Sequence, residues 1–129
     1  MTDLNTAQHL LTTYGYAIDS RQFDLLNEVF TADVSFVVSI ADGDTYPFEG
    51  RDTIVGFITE TTLAQTDRRH HVITNVRVDG SASTAKLTLF VIDGGTLEVK
   101  TIGVYTCEHT EEDGETRIKS MHLALDLAF

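Results

Sequence analysis

The feature that most constrains this chain is a single change of hydrophobic period. As far as about Leu63, apolar residues recur mainly at helical spacing, whereas from His70 onward they alternate with period two. The alternating part divides into four strands, His70 to Val78, Ala85 to Ile92, Leu97 to Glu108 and Thr116 to Leu127. The segments between them, Asp79-Gly80-Ser81, Asp93-Gly94-Gly95 and Glu112-Asp113-Gly114, are short and carry glycine, so neighbouring strands are expected to pair as antiparallel hairpins.

The N-terminal part predicts three helices and one strand. Ala7, Leu10, Leu11, Tyr14, Ala17 and Ile18 define a helix over Asn5 to Asp19, with Asn5 or Thr6 as its N-cap. Phe23, Leu25, Leu26, Val29 and Phe30 read as a shorter second helix ending near Thr31. The β-branched and aromatic run Val34 to Ile40 is a strand that stops at the turn Asp42-Gly43-Asp44. Beyond Pro47, Ile54, Val55, Phe57 and Ile58 give a third helix over Thr53 to Leu63, with Asp52 as its cap.

Helices followed by a meander of strands is an α+β order. A strongly curved, mainly antiparallel sheet wrapped around three N-terminal helices would leave a conical cavity, a natural place for a small molecule. At 129 residues, positions 1–129 are expected to form one domain with a real core.

A formal charge of -11 would repel a phosphate backbone, so nucleic acid is not an expected partner. No segment approaches the ~20 consecutive apolar residues that a membrane-spanning helix needs. The N-terminus shows neither a basic leader nor a signal-type apolar run, from which a cytoplasmic location is expected. The one cysteine, Cys107, has no internal partner and reads as a small apolar residue, in keeping with a reducing compartment.

Two separated stretches carry candidate acid-base chemistry. Asp19 closes the first helix, where the helix dipole disfavours a negative charge by some tenths of a kcal/mol. It is either a functional carboxylate, a cap of the next helix or a partner of Arg21. His70 and His71 are adjacent on a strand, so only one can face the interior of a regular strand. Parity puts His70 with Val72, Thr74, Val76 and Val78, and puts His71 with Ile73, Asn75 and Arg77, so the pattern alone favours His70 as the inward residue. Tyr14 lies about 140° from Asp19 around an ideal helix, and is either a core residue or a hydrogen-bond donor at the same cavity. A metal held by His71, His122 and a carboxylate has no His-x-His, His-x-x-x-His or cysteine pair to support it. No Gly-x-Ser-x-Gly motif or glycine-rich phosphate loop occurs.

The stretch Tyr14 to Phe30, then Ala32-Asp33-Val34 and Phe48-Glu49-Gly50-Arg51-Asp52, resembles the SnoaL-like, scytalone dehydratase-like branch of the nuclear transport factor 2-like superfamily. The resemblance implies a cone-shaped α+β barrel, the cystatin-like fold, with a deep hydrophobic pocket and a homodimer built on the outer sheet face. Ile18 to Gln22 and His71 to Asn75 are similar to the segments that carry an Asp-His dyad in the dehydratase and dehydrochlorinase members, and Tyr14 completes a set similar to that of bile acid dehydratases. By resemblance, therefore, Tyr14, Asp19 and His71 are the expected catalytic residues, against the parity argument. Phe36, Val38, Phe57, Asn75, Leu89 and Tyr105 are the expected substrate-binding residues. The general base of the ketosteroid isomerase members falls at Val38, which cannot accept a proton, and the Asp-Arg-Asp set of the epoxide hydrolase members has no counterpart. The resemblance implies β-elimination without cofactor or metal on a small hydrophobic, oxygenated ring compound, by a dehydratase-type lyase. The alternatives are a cyclase or isomerase, or a non-catalytic binding or interaction module of the same fold.

Overall fold

A computed structural model describes every residue from Met1 to Phe129. Helix α1, Leu4–Asp19, buries Ala7, Leu10, Leu11, Tyr14, Ala17 and Ile18 on one side, the stripe that the spacing predicts. Its N-cap is Asp3 and not Asn5 or Thr6: the Asp3 carboxylate accepts from the Thr6 N–H at 2.7 Å. At the other end Arg21 adopts a left-handed backbone with φ 57°. Its N–H donates to the Ile18 carbonyl at 3.2 Å, while that of Gln22 donates to Ala17 at 2.9 Å, the crossed pair that closes many helices.

The second helix is shorter than its apolar spacing predicts. Only Phe23–Glu28 winds up, as a 3-10 helix, and Phe30 and Thr31 already belong to strand β1, Phe30–Ile40. The Ile118 N–H donates to the Val29 carbonyl at 2.7 Å, so a sheet hydrogen bond takes over where a helical one would have continued. A strand not expected from the sequence, β2, covers Thr45–Glu49. It contains Pro47, which removes a backbone donor, and the structure accommodates this by putting β2 at a sheet edge. Helix α2, Arg51–Ala64, is capped by Gly50 at φ 91°, with Asp52 inside the first turn instead of at the cap. There the carboxylate faces the positive end of the helix dipole.

The remaining strands are β3 (Arg68–Asp79), β4 (Ala82–Asp93), β5 (Thr96–Glu112) and β6 (Glu115–Leu125). The six strands form one sheet in the order β2-β1-β6-β5-β4-β3, antiparallel throughout except for the β1–β6 pair. Register shifts occur at Leu89/Phe90 in β4, Glu108/His109 in β5 and Thr74/Arg77 in β3, and such bulges bend a sheet. Gly103 adds to the curl: a Cβ there would stand 2.6 Å from the Ala124 carbonyl oxygen, so β6 closes over β5 only because the side chain is missing.

The helices fill the concave side. Leu11, Leu26, Phe30, Ile54, Tyr105 and Ile118 form the centre of a continuous core, where burying each large apolar side chain contributes roughly 1.5–3 kcal/mol. Cys107 lies in that core, and burial pushes its thiol up to about 12, so it remains an unreactive apolar group. The convex side carries exposed Val72, Leu97, Val99, Ile102 and Val104. This is the α+β, mainly antiparallel curved architecture expected, and neither helix is long and apolar enough to cross a membrane.

Candidate active site

A cavity of about 330 Å³ opens between the end of α1, the inner side of α2 and the concave face of the sheet. Phe36, Val38, Phe57 and Leu89 line it. Two of the expected substrate-binding residues stand elsewhere. Tyr105 is fully buried behind Tyr14, with ring centroids 5.6 Å apart, and does not reach the lining. Asn75 lies outside the cavity because it is the bulged residue of β3, with φ 57°.

That bulge resolves the choice between the two histidines. Thr74 pairs with Lys86 and Arg77 with Thr84, so Asn75 and Val76 together stand opposite Ala85. The inward face accordingly changes from odd to even positions: Arg69, His71 and Ile73 are inward before the bulge, Val76 and Val78 after it. Parity counted back from Val76 and Val78 selects His70 because a regular strand lacks the extra residue. His70 also touches the cavity, but it is exposed and its side chain makes no hydrogen bond.

Asp19 and His71, 52 positions apart, meet through two hydrogen bonds. The His71 backbone N–H donates to Asp19 Oδ2 at 2.8 Å, and His71 Nδ1 lies 2.6 Å from Asp19 Oδ1. The backbone bond is available because β3 is an edge strand with free N–H groups. It is reached because α1 passes close by: the Gly15 position has only hydrogen facing the His71 Cβ, with 3.6 Å for an added methyl. With Asp19 ionised, Nδ1 carries the proton and Nε2 is left with a lone pair. The two side chains are 14% and 21% exposed, in contact with the cavity yet largely shielded from water.

Tyr14 stands edge-on to His71 at a centroid distance of 6.4 Å and borders the same cavity. Burial holds its phenol well above the ordinary range, so it stays protonated and acts as a donor at neutral pH. Burial does the same to Tyr105, whose hydroxyl lies near enough to Tyr14 to affect it but has no hydrogen-bond partner of good geometry.

The lining also contains polar residues that sequence reasoning did not assign to the cavity: Arg68, Arg69, Asp67 and Thr62, and Arg21, which makes no ion pair with Asp19. Arg69 was recoverable, since it shares the face of His71 two residues earlier. The others come from loops and from the ends of helices and strands, whose direction no periodicity encodes. Arg69 Nε donates to Asp67 Oδ1 at 2.9 Å, and this bond holds the Asp67 carboxyl below the usual range. His122 sits on the convex face, its Nε2 2.7 Å from Ser39 Oγ, with the sheet between it and His71. No three His, Cys, Asp or Glu side chains converge in the structure.

Solved structures share this architecture. ActVI-ORFA from Streptomyces coelicolor superimposes with a TM-score of 0.76 at 17% identity, covering 95% of this chain and 96% of that one. An NTF2-like protein with a cystatin-like fold from Novosphingobium aromaticivorans gives 0.73 at 22% identity, covering 95% and 81%. A protein of unknown function from Mycobacterium tuberculosis gives 0.74 at 23% identity, covering 95% and 71%. At these identities the likeness concerns the fold alone. Comparison with curated proteins finds no match. Residues 1–122 match the SnoaL-like domain, and the chain belongs to that family.

Proposed function

We propose that this protein is a cofactor-independent lyase of dehydratase type, acting on a small hydrophobic compound that carries a hydroxyl β to an activating carbonyl. The observation that carries the reading is the two-point hold of Asp19 on His71 at the wall of an apolar cavity, beside a protonated Tyr14. His71 Nε2 takes the proton from the carbon next to the carbonyl, and Asp19 stabilises the imidazolium that forms. The C–H electron pair becomes the new double bond as the C–O bond breaks. His71 returns the proton to the departing hydroxyl, which leaves as water. Tyr14 donates a hydrogen bond to the oxygen on which negative charge develops, and the low dielectric around it strengthens that bond. The exposed apolar convex face supports a homodimer as the working state, because solvent contact there is unfavourable.

The test is turnover of a panel of β-hydroxy ketones, followed by the absorbance of the conjugated product. Water loss by the wild type, lowered about 10²-fold or more in His71→Ala, is the expected result. Tight binding of the panel with no turnover by the wild type would replace this reading with that of a binding module.

A further inference from the structure

The cavity mouth collects positive charge in a protein that is otherwise acidic. Of nine lysines and arginines in the chain, Arg21, Arg68 and Arg69 line this cavity, against only Asp19 and Asp67 of twenty acidic residues. Both of those acids are engaged, Asp19 by His71 and Asp67 by Arg69. Arg21 and Arg68 have no carboxylate within ion-pair distance and are exposed, which puts them at the rim. Lys100 lies near enough to Asp67 to lower its carboxyl further, adding a fourth cation to this side.

Arg21 also stands where an arginine is not the favoured choice. It is the left-handed residue that closes α1, at φ 57°, a position suited to glycine. An arginine there accepts backbone strain, and its side chain makes no hydrogen bond or ion pair within the protein that would offset it. Arg21 follows Asp19 by two residues and lines the same cavity.

We propose that the cavity takes an organic anion, an apolar ring body bearing a carboxylate, with the ring inside and the carboxylate held at the rim by Arg21 and Arg68. Guanidinium groups suit this task because their fixed fork matches a carboxylate in two hydrogen bonds. The proposal deepens the preceding reading by naming the substrate class of the same cavity, and it rests on that cavity being a ligand site. The ring body lies against Phe36, Phe57 and Leu89, and its reactive carbon faces His71.

Calorimetry on the full chain at low ionic strength, with naphthoate and its neutral analogue naphthamide as probes, tests it. Wild type should bind the acid about tenfold more tightly than the amide. The double variant Arg21→Gln with Arg68→Gln should bind both probes alike, with the amide affinity unchanged, which shows the cavity intact. Salt at about 0.5 M should erode the wild-type preference, since rim charges are screened. The preference should persist in the combined variant His71→Ala with Asp19→Asn, which leaves no unpaired carboxylate in the cavity; its loss there would assign it to the dyad and overturn the proposal. Equal binding of the two probes by wild type, no binding of naphthoate at millimolar concentration, or an undiminished preference in the double variant would each overturn it. Preference for the acid without turnover of any hydroxy ketone would remove the elimination reading and leave this one standing.

Discussion

Asn75 sets the direction in which His71 points. The two residues are four positions apart on β3, and the left-handed backbone of Asn75 inserts the extra residue that puts His71, instead of His70, on the concave face. A structural irregularity outside the cavity thus decides which imidazole meets Asp19.

Deleting Asn75 should therefore remove the irregularity and spare the site. With the extra residue gone, His71, Ile73, Val76 and Val78 alternate on one face of a regular strand, and Val76 alone stands opposite Ala85. We expect a folded protein that keeps the bond between His71 and Asp19, checked by imidazole NMR together with denaturant unfolding. A deletion variant in which His70 takes the place of His71 at Asp19 would refute the role of the bulge.

Replacing His71 by Ala or Asp19 by Asn should each lower turnover by about 10²-fold or more, with the circular dichroism spectrum unchanged. Asn is chosen because its carbonyl can still accept the His71 backbone N–H. The combined variant should lose little more than either single one, because the two residues act as a unit. Additive losses would show that they act separately.

Gly103→Ala should destabilise the protein by about 1–3 kcal/mol, measured by urea unfolding. The added methyl meets the Ala124 carbonyl oxygen, which belongs to backbone and cannot rotate away. A neutral effect would mean that β5 and β6 part easily at this point.

Arg21→Gly should raise the melting temperature, by an increment of about 0.5–1 kcal/mol, because glycine takes the left-handed conformation at φ 57° without strain. A fall in stability would show that the arginine serves the fold.

His109 gives a signature in acid. It is buried at the far end of the sheet, where its Nε2 lies 3.1 Å from Ser83 Oγ and its Nδ1 has no partner. Burial lowers its affinity for protons below the ordinary value of 6.5. The unfolded chain therefore binds the proton first, and the contribution of neutral His109 is complete above pH 6.5 and is lost as pH falls toward the lowered folded value. Denaturant midpoints between pH 7 and 5 should decline in the wild type and decline less in His109→Gln. Parallel slopes would assign the acid sensitivity elsewhere.

The four long strands are legible from alternation because each has one face on the core and one facing outward, and α1 is legible because its apolar stripe is packed along its whole length. The 3-10 segment is not: Phe30 and Thr31 continue a helical spacing, but their backbone is claimed by β6, and no local pattern reports that competition. Strand β2 is hidden for another reason, being short, mostly exposed and interrupted by Pro47. At the site, Asp19 and His71 can be nominated from their neighbours in the sequence, whereas the facing of His71 depends on a bulge that Asn75 only hints at, as one of the residues that tolerate a left-handed backbone. Arg21 and Arg68 leave no periodic trace, since one stands in the turn after α1 and the other at the first, exposed position of β3.

The bond from the His71 backbone N–H to Asp19 has a consequence for the protein as a member of a crowded solution. β3 is the last strand of its sheet, and an uncovered last strand offers a template on which another chain can add. By taking that N–H, the Asp19 carboxylate puts a charge across the open margin of the strand, in its regular part ahead of the bulge. The same side chain that aligns the imidazole thus acts as a guard against intermolecular β-pairing, and substitutions that remove its oxygens expose the chain to self-association as well as to loss of chemistry.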